Sequence, residues 1–201
     1  MPYKKRVYLI DRLYNPIKGI LTMGKRPGHC YRYQKHPPFT RKEYIHRQPG
    51  SRITIFDMGN RKAKFEIQLS LIALEKCQIR HTSLEAARIT SNRVLVQKAG
   101  KDKFHLIIRP HPHHILRENK MITGAGADRV QDGMRRAFGK SVDRAARIRP
   151  NQPLITVQVN APHIEAAKLA LKRASYKFST PTRIVVDYVA DPSLRQKLGI
   201  A

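Results

Sequence analysis

Between Gly50 and Tyr188 the apolar residues change period in an order that leaves few folds open. Residues 52–57 (RITIFD) read as a strand with Ile53 and Ile55 on one face, and a second extended piece spans 63–71 after Gly59-Asn60. Thr82-Ser83-Leu84-Glu85 has capping-box spacing. Leu84, Ala87, Ser91, Val94 and Leu95 then fall on one helical stripe, predicting a helix over 83–97 ended by Gly100. A polar turn at 100–103 precedes a strand over 104–109, and after Pro110 and Pro112 the pattern resumes over 113–117. A glycine-rich stretch and a looser basic segment run to Pro150. Residues 154–159 alternate with Ile155, Val157 and Val159 on one face, and Asn160 can cap a helix with Pro162 in its first turn. Ile164, Ala167, Leu171 and Ala174 form that helix's stripe, and 182–188 close the order as a strand with Ile184, Val186 and Tyr188 facing the core. Strands, helix, strands, helix, strand, without strict βαβ alternation, imply a single α+β domain: helices on one face of a mostly antiparallel or mixed sheet.

The first fifty residues cannot build a core of their own. They hold twelve Lys and Arg against Asp11 and Glu43, and prolines recur at 16, 27, 37, 38 and 49, each deleting a backbone donor and disfavouring helix before it. Tyr31, Tyr33, Phe39 and Tyr44 are interleaved with these charges, the composition of an arm that lies on RNA, stacking on bases and contacting phosphates. The whole chain carries 40 Lys and Arg against 14 Asp and Glu, a formal charge of +26 over 201 residues. A compact fold so charged repels itself, so a polyanion is expected to neutralise it: nucleic acid, an anionic membrane surface or an acidic protein. No stretch has the roughly 18 uninterrupted apolar residues of a membrane span, and Asp11 and Arg12 cut the apolar run that follows Lys4, Lys5 and Arg6, against a signal sequence. Cys30 and Cys77 stand far apart and lack CxxC partners, as reduced cytosolic thiols do. Nucleic acid is the leading partner.

Residues 121–140, MITGAGADRVQDGMRRAFGK, join Gly124, Gly126, Gly133 and Gly139 to a cationic end of Arg135, Arg136 and Lys140. Glycines let a backbone approach another surface, and a guanidinium can take two phosphate oxygens at once. The competing reading is a short amphipathic helix with its charges in water. GAGADR half resembles a dinucleotide-binding turn, but it follows Arg117, Glu118, Asn119 and Lys120 rather than a buried strand, and Arg129 fills the position that should be small. No cofactor is expected. His111, His113 and His114 cluster without a Cys or carboxylate at ligand spacing, so no metal is assigned. No Ser, Cys or His stands in a nucleophile motif, so no catalytic residue is assigned. An RNA-modifying or processing enzyme stays as a rival, as does a DNA-compacting protein, which lacks a wedge or groove-binding motif.

Three segments together resemble one family: residues 25–66 (KRPGHCYRYQKHPPFTRKEYIHRQPGSRITIFDMGNRKAKFE), 84–121 (LEAARITSNRVLVQKAGKDKFHLIIRPHPHHILRENKM) and 124–140 (GAGADRVQDGMRRAFGK). The likeness runs over about 23–188 and is to the large-subunit ribosomal proteins called L-sixteen in bacteria and L-ten-e in archaea and eukaryotes, closer to the archaeal branch. It implies an α/β-hammerhead domain over 51–190 and a basic arm over 23–50; residues 1–22 lie outside the likeness, as a lineage-specific extension of unknown order or an alternative start, and 191–201 form a tail. It implies a cytoplasmic ribosomal protein bound to large-subunit rRNA and neighbouring ribosomal proteins beside the aminoacyl-tRNA site, with no membrane or small-molecule substrate. Residue by residue, the family's rRNA-binding arm falls on Lys25, Arg26, Arg32, Tyr33, Lys35, Arg41 and Lys42, and its basic glycine-rich segment on Arg129, Arg135, Arg136 and Lys140. Its flexible loop toward the tRNA falls on 98–109, including Lys98, Lys101, Lys103, His105 and Arg109.

Overall fold

The computed structural model describes residues 26–120, apart from 39, 42 and 46, and residues 132–190, apart from 136. In chain order the elements are β1 (Asp57–Gly59), β2 (Ile67–Ala73), β3 (Cys77–Arg80), α1 (His81–Lys98), β4 (Phe104–Ile108), β5 (His114–Glu118), β6 (Lys140–Ile148), β7 (Pro153–Val159), α2 (Ile164–Ser175) and β8 (Thr182–Val189). Two sheets form, one of five strands ordered β1-β4-β7-β2-β8 and one of three ordered β3-β6-β5. Every pairing is antiparallel.

Strand β7 is the axis of the larger sheet, pairing with β4 on one side and β2 on the other. Its alternation puts Ile155, Val157 and Val159 opposite Leu71, Leu69 and Ile67 of β2, and these six are buried with Phe104, Leu106 and Ile108 of β4. Onto them α1 presents Leu84, Ala87, Val94 and Leu95, and α2 presents Ala167, Ala170, Leu171 and Ala174. The alanines of α2 leave little side chain between helix and sheet, so the backbones come close. Cys77, Ile79, Ala146 and Ile148 of the smaller sheet join the same apolar cluster, which makes the two sheets one body.

Several elements depart from the sequence pattern, each for a visible reason. Residues 52–56 are irregular: Ile53 is buried but Ile55 is 50% exposed. Local bonds replace a ladder there, with the Arg52 N–H donating to His81 Nδ1 and Ser51 Oγ to the Ile53 carbonyl. Helix α1 starts at His81, so Thr82 and Ser83 lie inside it and Glu85 accepts from Arg88 instead of closing a capping box. The basic segment before Pro150 is the nine-residue strand β6. Of the expected loop over 98–109, Lys98 ends α1, 104–108 are strand β4, and only 99–103 turn. Tyr188 faces solvent because the register slips between Gln68 and Leu69, setting Val186 opposite Leu69 but Tyr188 opposite Gln68. Asn160 precedes a 3-10 turn without a side-chain cap bond, and the Glu66 carboxylate takes the Ala161 N–H.

Gly59 closes the edge strand against β4 at φ +89°, and a Cβ there would lie 2.2 Å from the Phe104 carbonyl oxygen. Gly59→Ala is expected to lower the stability of the full chain by more than about 2 kcal/mol, read as a drop in urea midpoint at unchanged m-value. An unchanged midpoint would show that β1 is dispensable.

Candidate nucleic-acid interface

The basic arm lies along the outer face of the smaller sheet, and it is the arm's backbone that holds it there. The Arg26 carbonyl accepts from Arg80, the Arg32 carbonyl from the Gln78 N–H at 2.8 Å, and the Tyr33 carbonyl from Gln78 Nε2 at 2.5 Å. Arg147 donates to the His36 carbonyl, and Ser141 Oγ to the Arg47 carbonyl at 2.5 Å. Gln34 reaches into the sheet and donates to the carbonyls of Cys77 and Ile148. Because carbonyls and the Gln34 and Gln48 amides do most of the seating, Arg26, Lys35, Arg41 and Arg47 stay exposed.

Beneath the arm sits a buried charge network. Asp143, 3% exposed, accepts at Oδ2 from Arg80 Nη2 at 2.7 Å and at Oδ1 from the Arg144 N–H at 3.0 Å, and its Oδ1 also lies against His81 Nε2. Since His81 Nδ1 accepts from the Arg52 N–H at 2.7 Å, its ring proton is on Nε2. Burial acts to raise the Asp143 carboxyl, but Arg80, the Arg144 N–H and His81 outweigh it and hold it below the ordinary carboxylate range. Neighbouring His114 is depressed to about 4, first by burial and then by the charges of Arg147, His113 and Arg117.

The expected site residues divide. Lys25, Lys42, Arg129 and Arg136 lie outside the described residues. Arg26, Tyr33, Lys35, Arg41, Arg135 and Lys140 are exposed, whereas Arg32 is tied to Glu75. Tyr33 and Lys35 line a cleft of about 440 Å³ with His114, Arg117 and Arg147. Arg117 also lines a second cleft of about 420 Å³ with Tyr44, Arg47, Phe138 and Lys140. The arm and the segment entering β6 thus form one continuous cationic, aromatic surface. Arg47, Arg117 and Phe138 escaped the sequence reading; the only signal was an aromatic beside the Arg135-Arg136 pair.

Lys101 belongs elsewhere, to a cleft with Met58, Asn92, Val96 and Asp102 at the turn between α1 and β4, where Lys98 and Lys103 are also exposed. His105 lies in β4, and Arg109 directly follows that strand with its N–H donating to the Leu154 carbonyl at 3.0 Å. His105 Nε2 meets Asp57 Oδ1 at 2.5 Å and its Nδ1 meets Gln158 Oε1 at 3.0 Å. Gln158 donates to Gln68, and Gln68 to Asp187. One side chain from each strand therefore makes a polar row across the whole larger sheet. Arg109 Nε donates to Thr156 on the same face. His111 stacks on Phe56 at 5.4 Å and His114 is buried, so the histidine cluster does not converge; among the described residues no group of three metal-ligating side chains forms.

The depressed His114 gives a signed pH dependence. The unfolded chain protonates it near 6.5, the folded chain only near about 4. Its contribution is therefore complete above 6.5 and is lost as pH falls toward 4, about 3 kcal/mol at 1.36 kcal/mol per pH unit. Urea unfolding from pH 7 down to about 4 should show this slope in the native chain and a flatter one in His114→Leu; equal slopes would assign the effect to other groups.

Residues 34–185 match the family described as Ribosomal protein L16p/L10e. The chain is 50% identical over 167 residues to the large ribosomal subunit protein uL16 of Methanosphaerula palustris, covering 83% of this chain and 96% of that protein. It is 49% identical over 165 residues to the protein of the same name from Archaeoglobus fulgidus (82% and 94%) and 46% over 178 residues to that of Picrophilus torridus (89% and 100%). A match over most of its length, on a fold whose arm and β5–β6 surface are cationic and aromatic, means that the chain belongs to the L16p/L10e family of ribosomal proteins.

Proposed function

We propose that this protein is a structural constituent of the large ribosomal subunit that docks on large-subunit rRNA through its arm and the surface between β5 and β6. Its role is structural rather than catalytic, and its place is the cytoplasmic ribosome among neighbouring ribosomal proteins. The observation that carries the reading is the arm's mode of attachment. Its carbonyls are consumed by Arg80, Gln78 and Arg147, so Arg26, Lys35 and Arg41 are held outward on a rigid support. Phosphate contacts of this kind set position rather than sequence, and the narrow A-form major groove keeps side chains from reading bases; the protein recognises RNA shape. Lys98, Lys101 and Lys103, at the turn after α1, are the group we assign to the neighbourhood of tRNA at the aminoacyl site; His105 and Arg109 position that turn through the sheet.

Sedimentation of cell extract on a gradient is expected to place the chain with large subunits; a chain found only at the top would refute the proposal. For the purified full chain on an rRNA fragment, affinity should fall by about 10³-fold or more between 50 and 200 mM salt if six or more phosphates are engaged. Lys35→Ala, Arg41→Ala and Lys140→Ala should each flatten the log–log salt slope by about 1 without changing the circular dichroism. Lys101→Ala with Lys103→Ala should leave subunit assembly intact and slow tRNA accommodation; unaltered tRNA kinetics would remove the turn from that role.

A further inference from the structure

The cleft beside Phe138 has a construction that phosphate binding does not require. Two rings line it, Tyr44 at 57% exposure and Phe138 at 48%. Each has a guanidinium over it: Arg41 lies 5.7 Å from the Tyr44 centroid and Arg117 3.6 Å from that of Phe138. Arg117 is fixed in turn, with Nη1 donating to the Phe138 carbonyl at 2.5 Å. The floor is Ile45, which is buried, and Ser141 pins the arm there through the Arg47 carbonyl. Gly139 sits at φ +75°, where a Cβ would lie 2.8 Å from the Glu118 carbonyl carbon. The chain turns tightly against β5 at that point, and Phe138 is delivered to the cleft as a result. Arg47 and Lys140 complete the lining, which among the described residues contains no carboxylate.

The chemistry of an occupant follows from this lining. Cations alone would suit any polyanion. Rings that stay on the surface, each already oriented by an arginine, add a demand for a flat π-face next to a negative charge. An acidic peptide supplies the charge without the flat face. A base inside a duplex has its faces covered by neighbours, whereas an unpaired base offers both. We propose that this cleft is a stacking site for one unpaired nucleotide of RNA, its base against Tyr44 and Phe138 and its phosphate toward Arg47 and Lys140. The proposal rests on the RNA-binding reading above and adds the class of nucleotide that the surface selects.

The test uses the full chain, a fully paired RNA stem, and the same stem carrying one bulged 2-aminopurine. The native protein should quench the 2-aminopurine fluorescence and bind the bulged stem about tenfold more tightly than the paired one, stacking being worth about 1–3 kcal/mol per base and 1.4 kcal/mol a factor of ten. Phe138→Leu and Tyr44→Leu keep apolar bulk at exposed positions, so the fold survives. Each should lose the quench and most of that preference, the bulged stem losing more affinity than the paired one, and Tyr44→Phe should retain both. Equal binding of the two stems without quench would overturn the stacking site and leave the RNA reading standing. Failure to bind either stem would bring down both. Ring-dependent binding of polyglutamate, with no preference for the bulge, would overturn the proposal in favour of an acidic protein partner.

Discussion

The carboxylate of Asp143 is the point through which the rest of the structure is joined. It lies on β6, it holds Arg80 at the end of β3, and it holds His81 at the start of α1. Through His81 Nδ1 it fixes Arg52, where the chain leaves the arm. A carboxylate this buried is costly unless its oxygens are filled, and here both are: one by a guanidinium, the other by an imidazole and a backbone N–H. The arrangement also explains why α1 begins without a side-chain cap. Strand β3 passes directly into the helix, and the entry angle is set by two consecutive residues bound to one acid. A capping residue would be redundant there.

The same network divides the cations into two kinds that composition cannot distinguish. Arg80, Arg144 and Arg147 point into the seam between arm and sheet and bond to Asp143, Gln48 and the His36 carbonyl. Arg26, Lys35 and Arg41 face water. A net charge of +26 argues correctly for a polyanionic partner, but part of the positive charge is structural and turns inward. Arg32 shows the limit of reading from residue type: it lies in the middle of the basic arm, and Glu75 takes it out of the outward-facing set.

What was legible in the sequence was whatever one periodic segment decides for itself. The stripe of Leu84, Ala87, Ser91, Val94 and Leu95 is buried as its spacing requires, and the alternation of β7 makes it the centre of a sheet. Elements fixed by distant partners were not legible. KSVDRAARI looks like a solvated basic run because Arg144, Arg147 and Asp143 break its alternation; it becomes a strand only once β3 and β5 pair with it and the arm supplies acceptors. RITIFD alternates well yet joins a ladder only at its end, where Phe56 and Asp57 meet β4, since the Arg52 N–H is taken by a helix residue. For the site, the arm was legible as a basic aromatic stretch, whereas the cleft around Arg117 and Phe138 was not, because it is assembled from three parts of the chain.

The correction at β4 changes how the two cationic groups relate. A flexible loop over 98–109 would let Lys101 and Lys103 move independently of the body. Instead His105 is locked in the polar row across the larger sheet, and Lys98 ends a helix whose first residue is clamped by Asp143. Eighteen helical residues at 1.5 Å each make a rod of about 27 Å. That rod starts under the arm and ends at the turn carrying Lys101 and Lys103. The separation between the surface assigned to rRNA and the turn assigned to tRNA is therefore set by a helix fixed at both ends, so docking the arm determines where the turn lies.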